Sequence, residues 1–328
     1  MSDNNSYRPS PNFSSNAFVN EKQYTDMYAR SLRDPKNFWS EQADKFVTWF
    51  KRWDEVVCGD FTKLNVQWFK GGRLNACYNL LDRHLEKRSK QVALIWESNA
   101  GDEVKKITYA ELFEQVCRFT NVLKKLSVKK GDRVCIYLPM IPEAVVAMLA
   151  CARIGAVHSV VFAGFSPESL NNRIKDSSSQ IVITADEGYR GDKIIPLKNN
   201  VDEAIKLCPK VRHVVVVKRT GNEIAWNAKK DIWYQDAMQE VSNKPIPCEM
   251  LDAQDPLFIL YTSGSTGAPK GIVHSIGGYL VFAAMTFKYI FDYHENEVFW
   301  CAADIGWITG HTYTIYGPLC NGATILMY

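Results

Sequence analysis

Apolar positions along this chain switch between a period of two and a period near 3.6, and the switching predicts strand–helix–strand units. Residues 92–96 are an apolar run of strand length. Thr108-Tyr109-Ala110-Glu111 is a capping box, and Leu112, Phe113, Val116, Phe119, Leu123 and Leu126 form a helical stripe behind it. Gly131-Asp132 predicts a turn and residues 133–138 a strand; Pro142 opens a helix that Gly155 ends. Residues 157–162 read as a strand and Ser166-Pro167 as the cap of the next helix. Residues 180–184 and 211–217 are β-branched runs suited to buried parallel strands. This alternation predicts an α/β fold with a mostly parallel sheet flanked by helices, whose ligands bind in the loops after the strands.

Outside that region the pattern differs. Residues 1–23 are polar and read as a flexible tail. Asp34-Pro35 then caps a helix with Phe38, Trp39, Phe46, Val47 and Phe50 on one face, and a helix-rich region is expected to about His84. The expected division is a tail (1–23), a helical region (24–84) and an α/β region (85–328). Residues 243–254 hold two prolines and read as a connector. Residues 256–260 predict a strand and 277–291 an apolar helix. Residues 323–328 form a last apolar strand with no polar tail, the expected mark of truncation; an edge strand is the alternative.

Composition narrows the function classes. With 46% hydrophobic and 23% charged residues the chain is ordinary globular protein. A net charge of +3 gives no field that would recruit nucleic acid or a membrane. Nine scattered cysteines, without a CxxC pair or zinc-ligand spacing, suit a reducing cytoplasm better than a disulfide scaffold. Residues 1–15 lack the apolar stretch of a signal peptide. The most membrane-like stretch, 144–165, is broken by Arg153, Gly155 and His158 and reads as a buried helix followed by a buried strand. A soluble, cytoplasmic protein is expected.

The strongest chemical signal is Tyr261-Thr262-Ser263-Gly264-Ser265-Thr266-Gly267-Ala268-Pro269-Lys270-Gly271, placed between the strand at 256–260 and the helix at 277–291. Gly264 and Gly267 let backbone N–H groups approach a phosphate. The hydroxyls of Thr262, Ser263, Ser265 and Thr266 donate to phosphate oxygens, and Lys270 supplies a positive charge. The Walker pattern needs Gly-Lys-Ser/Thr, whereas Lys270 here lies between Pro269 and Gly271. A strand–loop–helix context argues for phosphate binding over a Ser/Gly linker.

This segment resembles the signature loop of the adenylate-forming superfamily, which includes acyl-CoA synthetases, firefly luciferase and peptide-synthetase adenylation domains. Further segments are similar to the acetyl- and propionyl-CoA synthetases, the acetyl-CoA synthetases most nearly: Asp34-Pro35-Lys36-Asn37-Phe38-Trp39, Trp68-Phe69-Lys70-Gly71-Gly72-Arg73-Leu74-Asn75, Phe162-Ala163-Gly164-Phe165-Ser166-Pro167, Phe287-Lys288-Tyr289-Ile290-Phe291-Asp292-Tyr293 and Ala303-Asp304-Ile305-Gly306-Trp307-Ile308-Thr309-Gly310-His311. The resemblance implies the large N-terminal domain of the adenylate-forming fold, truncated before the mobile C-terminal domain. It implies an AMP-forming acetate–CoA ligase that uses ATP, Mg²⁺ and CoA, with propionate as the alternative acid.

By the same resemblance, Thr262 to Gly267 and Lys270 hold the ATP phosphates, with Lys270 and Thr266 in catalytic roles. Gly164, Arg190, Gly191, Asp192, Lys193 and Thr309 contact CoA; Trp307, Ile308 and Thr309 form the acyl pocket; no metal ligand falls in these residues. The family usually has Arg where Lys193 stands, and many relatives have Val where Ile308 stands. The adenine and ribose motifs, the remaining pocket tryptophan and the Mg²⁺ ligands would lie past residue 328. An inactive first half is therefore expected, either a partial chain or a remnant that partners a separately encoded C-terminal half. His311 reads as structural.

Overall fold

Thr108 and Glu111 form the predicted capping box: Thr108 Oγ1 accepts from the Glu111 backbone N–H at 3.2 Å, and Glu111 Oε2 accepts from the Thr108 N–H at 2.7 Å. This reciprocal pair starts the helix Tyr109–Lys125. The computed structural model describes residues 9–262, 267 and 269–328.

Two sheets organise the chain. The larger has seven strands in the order Asp231–Trp233, His213–Val217, Ile181–Ala185, Arg133–Tyr137, Val157–Val160, Pro256–Thr262, Lys270–Ser275. Every neighbouring pair is parallel except the last, which is antiparallel. The four-stranded sheet runs Val298–Trp300, Thr324–Met327, Val92–Glu97, Val104–Thr108, and again only its last pair is antiparallel. The fold is the mixed α/β architecture expected. Thr324–Met327 is paired on both sides, so it is an interior strand and not the edge strand offered as an alternative.

The helix Pro142–Ile154 is buried almost all round, as its lack of a polar face requires. Gly155 ends it at φ +71°, and a Cβ there would stand 2.6 Å from Leu251 Cδ2, so both backbone and packing demand glycine. Asn75 ties the region into the fold: its buried Nδ2 donates to the carbonyls of Ala152, Arg153 and Glu249.

Three sequence expectations are corrected. The region expected to stay helical to His84 contains short strands, Glu55–Cys58 paired with Gln67–Lys70 and Arg73–Leu74 paired with Leu251–Asp252. The helix Pro35–Phe46 stops at Phe46, so Val47 and Phe50 lie beyond it, and Trp49, Trp53 and Phe69 pack as a ring cluster instead. An aromatic-rich stretch satisfies strand and helix alike, and tertiary packing chose. The glycine-rich segment, in turn, does not join a strand to a helix. It joins Pro256–Thr262 to the antiparallel strand Lys270–Ser275, and the helix Ile276–Ile290 follows. Ile272 and Val273 favour the pleat, and His274 stacks on Phe258 at 4.5 Å.

Candidate functional site

The carboxyl ends of four neighbouring parallel strands open onto one cleft of about 220 Å³. The strand Arg133–Tyr137 leads to Met140, Val157–Val160 to Phe162 and Gly164, Ile181–Ala185 to Gly188 and Arg190, and His213–Val217 to Arg219. The second sheet closes the other side with Trp96 and Tyr328, each at the carboxyl end of its strand. The loops after the strands thus line the cleft, as in other open α/β sheets.

Within the cleft, Gly164 and Arg190 are interdependent. The Arg190 guanidinium lies over the Phe162 ring at 5.4 Å. A Cβ on Gly164 would meet Phe162 Cε1 at 2.4 Å and Arg190 Nη1 at 3.1 Å, so glycine leaves the space that cation and ring fill. Arg190 and Lys193 face each other across a tight hairpin whose turn is Gly191-Asp192, with Gly191 at φ +56°. Asn99 Nδ2 donates to the Gly191 carbonyl at 3.0 Å and anchors the turn to the other sheet. The structure therefore brings Gly164, Arg190 and Gly191 to one cleft. Asp192 and Lys193 are exposed on the hairpin outside the cleft lining.

Arg219 is a residue that sequence reading passed over. It sits over Trp96 at 5.0 Å, pairs with Glu103 at 3.4 Å, and lines the same cleft. The buried Asp186 carboxylate holds its loop by accepting from the backbone N–H groups of Glu187, Arg219, Thr220 and Gly221. The available signal was its place directly after the strand His213–Val217.

The turn carrying Trp307, Ile308 and Thr309 separates this cleft from a second one. The Trp307 ring packs near Phe162 and Phe165, 6.3 and 6.1 Å between centroids. Ile308 instead lines the second cavity, about 470 Å³, together with Trp39, Trp68, Val273, His274 and Tyr279. Trp307 and Ile308 are each about half exposed, 48% and 46%, and Thr309 is exposed as well. Of the three expected pocket residues, only Ile308 lines the second cavity, whereas Trp307 packs near Phe162 and Phe165.

Asp304 holds this turn: its carboxylate accepts from the Gly306 N–H at 2.7 Å and its carbonyl from the Trp307 N–H at 3.1 Å. Burial raises the Asp304 carboxyl above its ordinary range, partly offset by the Gly306 N–H. Gly310 is obligatory, because a Cβ would stand 2.2 Å from the Asp304 carbonyl oxygen. The following residues, His311–Tyr316, form a π-helix, a form that concentrates at functional sites and that no sequence period announced. His311 is fully buried, and burial lowers it to about 4, in keeping with its reading as structural.

The strand Pro256–Thr262 runs parallel to Val157–Val160, so the glycine-rich loop leaves from the same sheet edge that opens onto the first cleft. Thr262 and Lys270 face each other across the antiparallel pair at the loop's base, and both are exposed. Gly267 has φ +83°. Ser263, Gly264, Ser265 and Thr266, expected to bind phosphate, lie outside the described residues.

No magnesium-type site is found among the described residues. Their one cluster with metal-ligand geometry, Cys77, Asp82 and Cys248, offers two sulfurs and a carboxylate already bonded to Arg153, a poor match for a hard cation that prefers oxygen. Among the described residues no helix is long and apolar enough to cross a membrane.

A cleft lined by Arg190 and Arg219, with Thr262 and Lys270 at the same carboxyl edge of a mostly parallel sheet, defines a ligand-binding α/β protein. Residues 81–328 match the family model described as AMP-binding enzyme, and the chain belongs to that family. Residues 24–80 match the model described as the acetyl-coenzyme A synthetase N-terminus. The acetyl-coenzyme A synthetase of Halorhodospira halophila is 56% identical over 328 residues, covering 100% of this chain and 51% of that protein. Acetyl-coenzyme A synthetase 2 of Pseudomonas aeruginosa is 58% identical over 312 residues, 95% of this chain and 48% of that one. Among solved structures, acetoacetyl-CoA synthetase from Streptomyces lividans superposes with a TM-score of 0.84 at 31% identity, covering 93% of this chain and 46% of that one. The chain spans about half the length of the curated relatives it matches.

Proposed function

We propose that this chain supplies the triphosphate loop and much of the CoA site of an AMP-forming acetate–CoA ligase. The observation that carries the reading is the common sheet edge from which the Thr262–Lys270 loop and the Gly164/Arg190 cleft both open. In the first step an acetate oxygen attacks the α-phosphorus of ATP and pyrophosphate leaves. In the second the CoA sulfur attacks the acyl carbon and AMP leaves. Neither step needs a protein nucleophile; both need phosphates held and charge neutralised.

Lys270, with the loop hydroxyls including Thr266, is assigned to the ATP phosphates. Arg190 and Lys193 are assigned to the CoA phosphates, with Gly191 and Asp192 beside them, and Thr309 to the thiol end of CoA. Trp307, Ile308 and Thr309 are assigned to the acyl side. Mg²⁺ arriving with the nucleotide would neutralise phosphate charge. Acetate is favoured over propionate because the relatives described above are acetyl-coenzyme A synthetases. A cytoplasmic location is supported by nine cysteines that are all unpaired.

The test is pyrophosphate release from ATP by the full-length gene product, with acetate, propionate and butyrate in parallel. Release preferring acetate, coupled to CoA consumption and reduced at least a hundredfold in Lys270→Ala, is expected (order of magnitude from loss of one electrostatic contact). A folded protein that releases no pyrophosphate with any short acid would overturn the assignment.

A further inference from the structure

We infer that Cys77 and Cys248 are an oxidative modification site, a thiol pair that closes to a reversible disulfide between the two family modules. Cys77 lies on the helix Ala76–Leu80 in the first module; Cys248 lies in the connector ahead of the strand Pro256–Thr262 that carries the glycine-rich loop. Their sulfurs and a carboxylate oxygen of Asp82 lie within 4.8 Å of one another. Cys77 is fully buried, and Cys248 is partly exposed, so oxidant reaches the pair through Cys248.

The surroundings polarise the two sulfurs in opposite senses. Arg153 Nη1 donates to Cys77 Sγ at 3.4 Å, which stabilises negative charge developing on that sulfur as it attacks. The Cys248 thiol donates to Asp82 Oδ2 at 3.7 Å. Arg153 also bonds both Asp82 oxygens, each at 2.8 Å, so a cation already occupies the position a metal ion would need. That separates a thiol pair from a metal site.

The oxidant is a hydroperoxide. The Cys248 thiol reduces hydrogen peroxide, giving a sulfenic acid and one water. The Cys77 sulfur then attacks the Cys248 sulfur; the S–S bond forms, the S–O bond breaks, and hydroxide leaves as water with the Cys77 proton. Two thiols lose one electron each, and the peroxide gains two. The neighbouring Cys77 sulfur, together with burial, holds the Cys248 thiol up, so closure is slow and needs sustained oxidant. A small dithiol reductant reverses it.

The experiment is a peptide map of the purified protein after hydrogen peroxide, alkylation and trypsin. Residues 74–83 and 231–270 each carry one cysteine, so the pair yields a single cross-linked species lower in mass by two hydrogen atoms and released by dithiothreitol. The oxidised protein is expected to melt at a higher temperature and to return on reduction. Cys117→Ala retains the cross-link, and Cys248→Ser abolishes it. The inference is overturned if oxidised wild-type protein carries Cys77 and Cys248 on separate peptides, or pairs either with another cysteine. It is equally overturned if the reduced protein takes up one zinc ion per chain in a titration with zinc alone and zinc blocks the oxidation.

Discussion

The Nε2 atoms of His158 and His311 face each other at 3.2 Å, both rings fully buried. His158 belongs to the strand leading to Phe162 and Gly164, and its register partner Phe258 to the strand leading to the glycine-rich loop. His311 opens the π-helix after Trp307. Three site-bearing segments therefore cross at one buried pair. Proton placement follows from the partners. His311 Nδ1 lies 2.9 Å from the Ile305 carbonyl and must donate, so His311 Nε2 accepts from His158 Nε2–H. Tyr316 Oη, 3.2 Å from the same His158 nitrogen, shares that proton. His158 Nδ1 is then a buried acceptor without a partner among the described residues.

Both rings are neutral when folded: burial pushes His158 down, with His311 adding to the effect, and burial lowers His311 to about 4 against an ordinary 6.5. The unfolded chain takes up protons on these groups first as pH falls. The stability that His311 confers is therefore complete above about pH 6.5 and is lost progressively down to about 4, by roughly 3 kcal/mol, and His158 adds to the loss in the same direction. Denaturant midpoints measured from pH 7.5 to 4 should fall along this window. His311→Asn should flatten the slope, although its stability at neutral pH is lower.

Gly164→Ala should weaken CoA binding roughly tenfold, about 1.4 kcal/mol, while the melting temperature moves little. The added methyl group collides with the Phe162 ring edge and the tip of Arg190, both side chains, so the cation moves out of the cleft and the backbone stays. Calorimetric titration with CoA, beside a melting curve, separates this outcome from general destabilisation.

Asp82→Ala should cost about 3–5 kcal/mol, because it strands the buried Arg153 guanidinium. The double change Arg153→Met with Asp82→Leu should be milder than Asp82→Ala alone, since no charge is left unpaired. Urea unfolding of the three proteins checks the order; a double variant less stable than Asp82→Ala would contradict it.

Lys193→Arg should tighten CoA binding by roughly 3-fold to 10-fold. A planar fork grips a phosphate at two points where an ammonium grips at one. Lys193 stands directly across the hairpin from Arg190, so both cations reach the same side of the turn. Equal affinity of the two proteins would remove Lys193 from the phosphate contacts.

Local chemistry was legible in the residue order. The Thr108–Glu111 box, Gly155 past the helix Pro142–Ile154 and the Ser166 cap each need only neighbours within a few positions, and each forms as read. The β-branched runs at 180–184 and 211–217 announced the buried parallel strands Ile181–Ala185 and His213–Val217, because no polar alternation interrupts them. The glycine-rich loop was recognisable because its glycines, hydroxyls and lysine are contiguous.

What the residue order left open was settled by packing between distant segments. The strand Lys270–Ser275 is a strand because Pro256–Thr262 offers it an edge, and its own six residues carry too weak a period to say so. The cleft joins Gly164, Arg190 and Arg219 with Trp96 from a second sheet, a meeting set by strand order that no spacing encodes. The His158–His311 pair and the Cys77–Asp82–Arg153–Cys248 cluster likewise join positions far apart in the chain. Short-range hydrogen bonds and backbone preferences act over a few residues and are written in the sequence; which distant side chains share one buried space is decided only when the sheets close.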